Sequence, residues 1–197
     1  MGTGRLEAFS DGVLAIIITI MVLELKVPHG TGLSVLKQVY PIFISYILSF
    51  INIGIYWNNH HHLMHSVEHL NGKVMWANLH LLFWLSLIPF ASGWMGENNF
   101  GMWPVATYGI ILAMSGIAYF LLVRSLIHLH GNDSILAKAV GNDKKGRWSV
   151  LLYLVGVATA FIQPLLGFLI YVLVAAVWFI PDRRIEKTIE EVEEEKE

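Results

Sequence analysis

The residues with the widest chemical repertoire in this 197-residue chain are its nine histidines. His61, His65 and His69 step by four, which would set three imidazoles on one helical face, and imidazoles at that spacing can hold a transition metal. Membrane di-iron oxygenases collect histidines in this way, so a membrane-embedded histidine-rich metalloenzyme is one reading. The spacing argues against it, because such enzymes use repeated H-x-x-H-H boxes and His65 is followed here by Ser66. The plainer reading is a polar helix end at a membrane interface, with some sensitivity to pH. No catalytic residue, cofactor or metal-ligand set is assigned from this pattern.

A second group lies near the N-terminus, where Arg5, Ser10 and Asp11 sit at one end of an apolar run in which Thr19 is the only polar side chain between Val13 and Leu23. In a bilayer the Asp11 carboxylate would lie at or inside the hydrocarbon boundary, where ionisable groups are rare and read by default as functional. Arg5 and Asp11 are six residues apart, ~9 Å along a helix and on different faces, so neither is the other's natural partner. Partners should come from other elements: His80, one predicted turn inside a third helix, or Trp57, Asn58 and His61 at the inner end of a second. Two roles are open for these polar residues, a structural latch or direct action on ions. Ile16, Ile20 and Leu23, at i, i+4 and i+7, share a helical face with Thr19 beside them. Such a face either packs on lipid and neighbouring helices or lines a path.

The elements that must position these residues are membrane spans. Hydrophobic residues make up 55% of the chain and charged residues 14%, against about 25% charged in an average soluble domain; the mean hydropathy is +0.58. A net charge of -2 gives no argument for nucleic acid, and the absence of cysteine excludes disulfides and thiolate metal sites. The first apolar run has no small-residue cleavage pattern, so it is expected to be retained. Runs of about 20 apolar residues suited to spanning occur at 8–26, 35–57, 74–96, 103–127 and 148–180. The last would be ~50 Å of helix against a ~30 Å core, with Gln163 and Pro164 in its middle, so it is expected to be two short helices.

Charge supports the resulting six spans. Of the 13 lysines and arginines, a cytoplasmic N-terminus puts 11 inside (Arg5, Lys73, Arg124, Lys138, Lys144, Lys145, Arg147, Arg183, Arg184, Lys187 and Lys196) and 2 outside (Lys26 and Lys37). Trp57, Trp76, Trp94, Trp103, Trp148 and Trp178 fall near predicted helix ends, as an interfacial aromatic belt would. The expected organisation is an all-α, six-span domain over 1–181 and a charged cytoplasmic tail over 182–197, in which Ile185, Ile189 and Val192 mark one face of a solvated helix.

Arg5, Phe9, Ser10 and Asp11 spell R-x-x-x-F-S-D at the start of the first span. Together with the A-I-I-I-T-I-M-V-L-E-L run, the later N-L-H-L-L-F-W-L-S-L-I-P-F stretch and the plan of hydrophobic segments, they give the chain a resemblance to the transmembrane protein 175 family of potassium-permeable channels. The resemblance implies a potassium-favouring cation channel, a homotetramer in the cell membrane with both termini cytoplasmic, whose first helices line the path. It implies that Ile16, Ile20 and Leu23 form the narrowest apolar layers and that Thr19 presents a hydroxyl to the passing ion. It also implies a polar network tying the first helix to the second and third, with Arg5, Phe9, Ser10 and Asp11 as the structural motif and His80 the candidate that its depth adds. The chain has no T-V-G-Y-G filter, arginine-rich voltage sensor, P-loop or mid-membrane carboxylate in helices two to six, so a conventional potassium channel is excluded.

The charge count yields a topology test. A cysteine introduced beside Pro164 should react with impermeant thiol reagents from outside; labelling from the cytoplasmic side alone would contradict the six-span arrangement.

Overall fold

Two prolines decide where the longest apolar runs break. Pro89 has no N–H to donate and its ring would strike the carbonyl of Leu85, so the run expected over 74–96 divides at Leu87 into α3, Gly72–Ser86, and α4, Ile88–Glu97. Pro164 occupies the first turn of a helix, where its missing N–H costs nothing, and opens α8, Pro164–Phe179. The preceding α7, Lys144–Ala160, ends as Ile162 and Gln163 donate their N–H groups to the Thr159 carbonyl. The expected division of 148–180 is therefore a tight helical hairpin.

The computed structural model describes residues 2–29, 31–141 and 143–179. The charged tail expected over 182–197, with Ile185, Ile189 and Val192, and the domain boundary before it lie outside the described residues. Among the described residues there is no strand. The remaining helices are α1, Gly4–Leu23; α2, Leu36–His65, entered through a 3-10 turn at Leu33–Val35; α5, Met102–His130; and the short α6, Ile135–Val140. Among the described residues, four helical stretches are long and apolar enough to cross a membrane: Gly4–Leu23, Val39–His65, Gly72–Glu97 (α3 with α4) and Met102–His130. α8 is a shorter apolar helix, and it packs against α7.

α5 is the central post, contacting α3, α4, α7 and α8, while α1 lies against α2, α3 and α4. Close approach of α5, α7 and α8 is set by glycine. A Cβ on Gly109 or Gly156 would collide with the ring of Tyr171, which is fully buried between them. Ser49 of α2 bonds Ser92 of α4 at 2.9 Å and Tyr108 of α5 at 3.0 Å, so three spans share one buried polar junction. Large apolar side chains outside this packing remain exposed, among them Trp76, Phe83, Phe90, Ile162 and Leu165. That surface suits hydrocarbon and would be untenable in water.

The two ends of the bundle differ in their polar contacts. The start of α1, the end of α2, the start of α3 and the end of α5 gather at one end, where His61 meets Glu7 and the His69 and His130 rings lie 4.6 Å apart. At the other, Lys26 Nζ donates to Glu97 Oε1 at 2.6 Å, and this hydrogen bond, with the charge of Glu97, raises the lysine pKa. α2 ends at His65, where the Ser66 hydroxyl and N–H both bond the Leu63 carbonyl. The three-histidine face expected over His61, His65 and His69 is therefore cut to two, and His69 turns away to His130.

Candidate ion pathway and the clasp of the first helix

α1 has two faces with opposite environments. Leu6, Ser10, Leu14, Ile17 and Met21, spaced by three and four, are buried against the rest of the chain. The opposite face carries Phe9, Ile16, Ile20 and Leu23, which are 53%, 60%, 44% and 76% exposed. Thr19 is exposed beside them and donates its hydroxyl hydrogen to the Ala15 carbonyl at 2.8 Å. Because that hydrogen is committed within the helix, the lone pairs of the Thr19 oxygen remain available, which is the polarity a cation requires.

The rotation of α1 is fixed by a buried hydrogen-bond chain whose directions are forced one after another. Ser10 is fully buried and donates to the Leu6 carbonyl at 2.8 Å, so its oxygen can serve only as acceptor towards other groups. Asn78 of α3, also fully buried, meets that need with its Nδ2 at 2.9 Å. The Asn78 Oδ1 then faces Nε2 of His60 on α2 at 2.8 Å, and must accept from it, so His60 carries its proton on Nε2. Three helices are thus joined through two side-chain bonds.

A second seam runs along the flank of α1. Glu7 and Asp11, one turn apart, face Trp57, His61 and His65, one turn apart on the antiparallel α2. Trp57 donates its indole N–H to Asp11 Oδ1 at 3.1 Å, and Glu7 Oε1 lies 2.9 Å from His61 Nδ1. Trp57 and His61 also stack, with ring centroids 6.1 Å apart.

Of the residues expected in the network, Ser10 and Asp11 are joined to α3 and α2, and Trp57 is the Asp11 partner. Arg5 is exposed and has no hydrogen-bond or ion-pair partner among the described residues; Phe9 lies outward, on the side of Ile16 and Ile20. His80 does not reach Ser10. It is two residues, or about 200°, round α3 from Asn78, and its Nε2 accepts from Trp84 Nε1 at 2.9 Å. Asn78, His60 and Glu7 were missed in the sequence, yet the signal for Asn78 is there: it falls on the Val74, Leu81, Leu85 face of α3, all buried, whereas His80 does not.

An interhelical hydrogen bond within a membrane protein averages only ~0.6 kcal/mol, but a buried donor or acceptor left without a partner costs ~1–3 kcal/mol. Asn78→Leu strands both the Ser10 oxygen and the His60 N–H, so it should lower stability by about that larger amount. Asp11→Ala, which loses a bond at an exposed indole, should cost less. Thermal unfolding of the purified variants checks the ranking; equal stability of Asn78→Leu and wild type would contradict the clasp.

Known proteins resemble this chain in sequence and in fold. Residues 5–89 match the family model described as endosomal/lysosomal potassium channel TMEM175. A potassium channel of Chryseobacterium sp. (strain P1-3) is 55% identical over 191 residues, 97% of this chain and 100% of the relative. A potassium channel of Chamaesiphon minutus is 33% identical over 177 residues, 82% of this chain and 85% of the relative. The crystal structure of a lysosomal potassium-selective channel TMEM175 homolog from Chamaesiphon minutus superposes with a TM-score of 0.78 at 30% identity, covering 91% of this chain and 97% of that one. The metalloenzyme reading of the histidines is thereby set aside, since these relatives are channels and not enzymes. With identity that runs through nearly its whole length, this multi-pass membrane protein belongs to the TMEM175 family of potassium channels.

Proposed function

We propose that the chain is a potassium-favouring cation channel of the cell membrane, with both termini cytoplasmic, that conducts along the first helices of a homotetramer. The observation that carries this reading is the uncovered apolar face of α1: Ile16, Ile20 and Leu23 point away from a helix whose other side is fully engaged with α2, α3 and α4. One α1 cannot enclose a path and the chain has one copy of it, so several chains must meet about an axis, as closed symmetric assemblies do. Four is the number the family's pore plan supplies.

In such a ring Ile16, Ile20 and Leu23 form apolar layers in which an ion must shed or squeeze its water. Potassium holds its hydration less tightly than sodium, so a narrow apolar ring favours potassium without a carbonyl filter. Thr19 lies one residue from Ile20 and adds a ring of acceptor oxygens, which offsets part of the dehydration. Ser10 and Asp11 act from outside the path in this reading, holding α1 in rotation and register, while Phe9 shares the outward face with Ile16 and Ile20.

Bi-ionic reversal potentials and single-channel conductance test the assignment in reconstituted protein. Leu23→Asn and Ile16→Asn should wet the ring, raising conductance while selectivity falls. Thr19→Ala should lower selectivity and keep the apolar layers, because only the hydroxyl is removed. Unchanged conductance and reversal potential in all three variants would take α1 out of the path.

A further inference from the structure

Glu7, His61 and His65 do more than close a seam between two helices. Glu7 Oε1 lies 2.9 Å from His61 Nδ1 and 3.8 Å from His65 Nε2, and one ligand atom from each of the three falls within 4.8 Å of the others. The 3.8 Å separation is outside hydrogen-bond range, so His65 is held near the carboxylate only by an ion-pair contact and by its ring contact with His61, and has a ring nitrogen free to turn towards an ion. The two imidazoles are one helical turn apart on α2, with ring centroids 4.3 Å apart, while the carboxylate arrives from α1. Side-chain exposures of 21% for Glu7, 43% for His61 and 59% for His65 give the cluster access to water and to ions.

Two neutral imidazole nitrogens and one carboxylate oxygen form a donor set of intermediate hardness, which suits zinc and its first-row neighbours better than calcium or magnesium. Zinc bonds of ~2.0–2.1 Å at tetrahedral angles separate ligand atoms by about 3.3 Å. The spacings of 2.9 Å and 3.8 Å bracket that value, with all three ligand atoms within 4.8 Å, so closure round an ion needs side-chain shifts on the order of an ångström at an exposed helix end. Three protein ligands leave a fourth position for water.

We propose that Glu7, His61 and His65 form a binding site for a divalent transition metal of the zinc class, clipping α1 to the end of α2. Such a clip adds a coordinate link to the same helix that Ser10 and Asp11 hold through hydrogen bonds. Any effect of the metal on conduction rests on α1 lining the path; binding itself does not.

The test uses the full chain, purified in detergent and stripped of metal with a chelator. It is titrated with Zn2+ against a chromophoric competitor and, separately, with Co2+ followed by visible d–d absorption. The expected result is one Zn2+ per chain, with His65→Ala and Glu7→Gln each weakening affinity by about tenfold or more and His69→Ala leaving it unchanged. Circular dichroism verifies that the variants retain helix. Three outcomes would overturn the site: no binding at chain stoichiometry, binding that survives in the His61→Ala/His65→Ala double variant, or equal weakening by His69→Ala.

Discussion

The Ser10–Asn78–His60 chain is the constraint on which the rest of the arrangement depends. Apolar packing alone specifies the rotation of a membrane helix weakly, because lipid tails and leucine side chains offer α1 nearly the same environment on every side. A serine, an asparagine and a histidine buried in such surroundings are different: each strands a costly polar group if the helix turns away. Only one rotation of α1 about its axis brings Ser10 to Asn78, and the Asn78 amide is itself fixed by the demand of His60 on its other end.

The exposed apolar face of α1 follows from that phase. At 100° per residue, an inward Ser10 brings Leu14, Ile17 and Met21 inward with it, and leaves Ile16, Ile20 and Leu23 about 80–140° round the helix on its uncovered side. The Trp57–Asp11 bond and the Glu7–His61 contact set the register, matching successive turns of α1 to successive turns of α2. A polar latch and an apolar face are therefore two consequences of one helix wheel. Ser10 and Asp11 at the start of α1 act at a distance from Ile16, Ile20 and Leu23 by holding the helix that carries them.

The fold was readable where the physics is one-dimensional. Span length and the proline at 164 each report on a segment by itself, and together they lead to the all-α architecture. The break at Leu87 was equally local, and Pro89 carried the signal for it. The site was readable only in part, because a hydrogen-bond partner is a property of two helices and their relative phase. His80 drew the expectation as the ionisable group at a suitable depth; the pattern of Val74, Asn78, Leu81 and Leu85 shows that the uncharged Asn78 is the residue turned to the core. Likewise His69 continued a four-residue spacing in sequence, but the helix stops at His65 and the spacing loses its meaning there.

The central claim is that the outward face of α1 meets its own copies about an axis, and the cysteine-free chain allows a direct measurement. Single cysteines at Ile16, Ile20 and Leu23, and at the inward positions Leu14, Ile17 and Met21, can be treated in membranes with a short bifunctional thiol cross-linker and run on denaturing gels. The account predicts covalent dimers from the first three positions and monomers from the second three. Cross-linking confined to Leu14, Ile17 and Met21, or equal at all six, would contradict it.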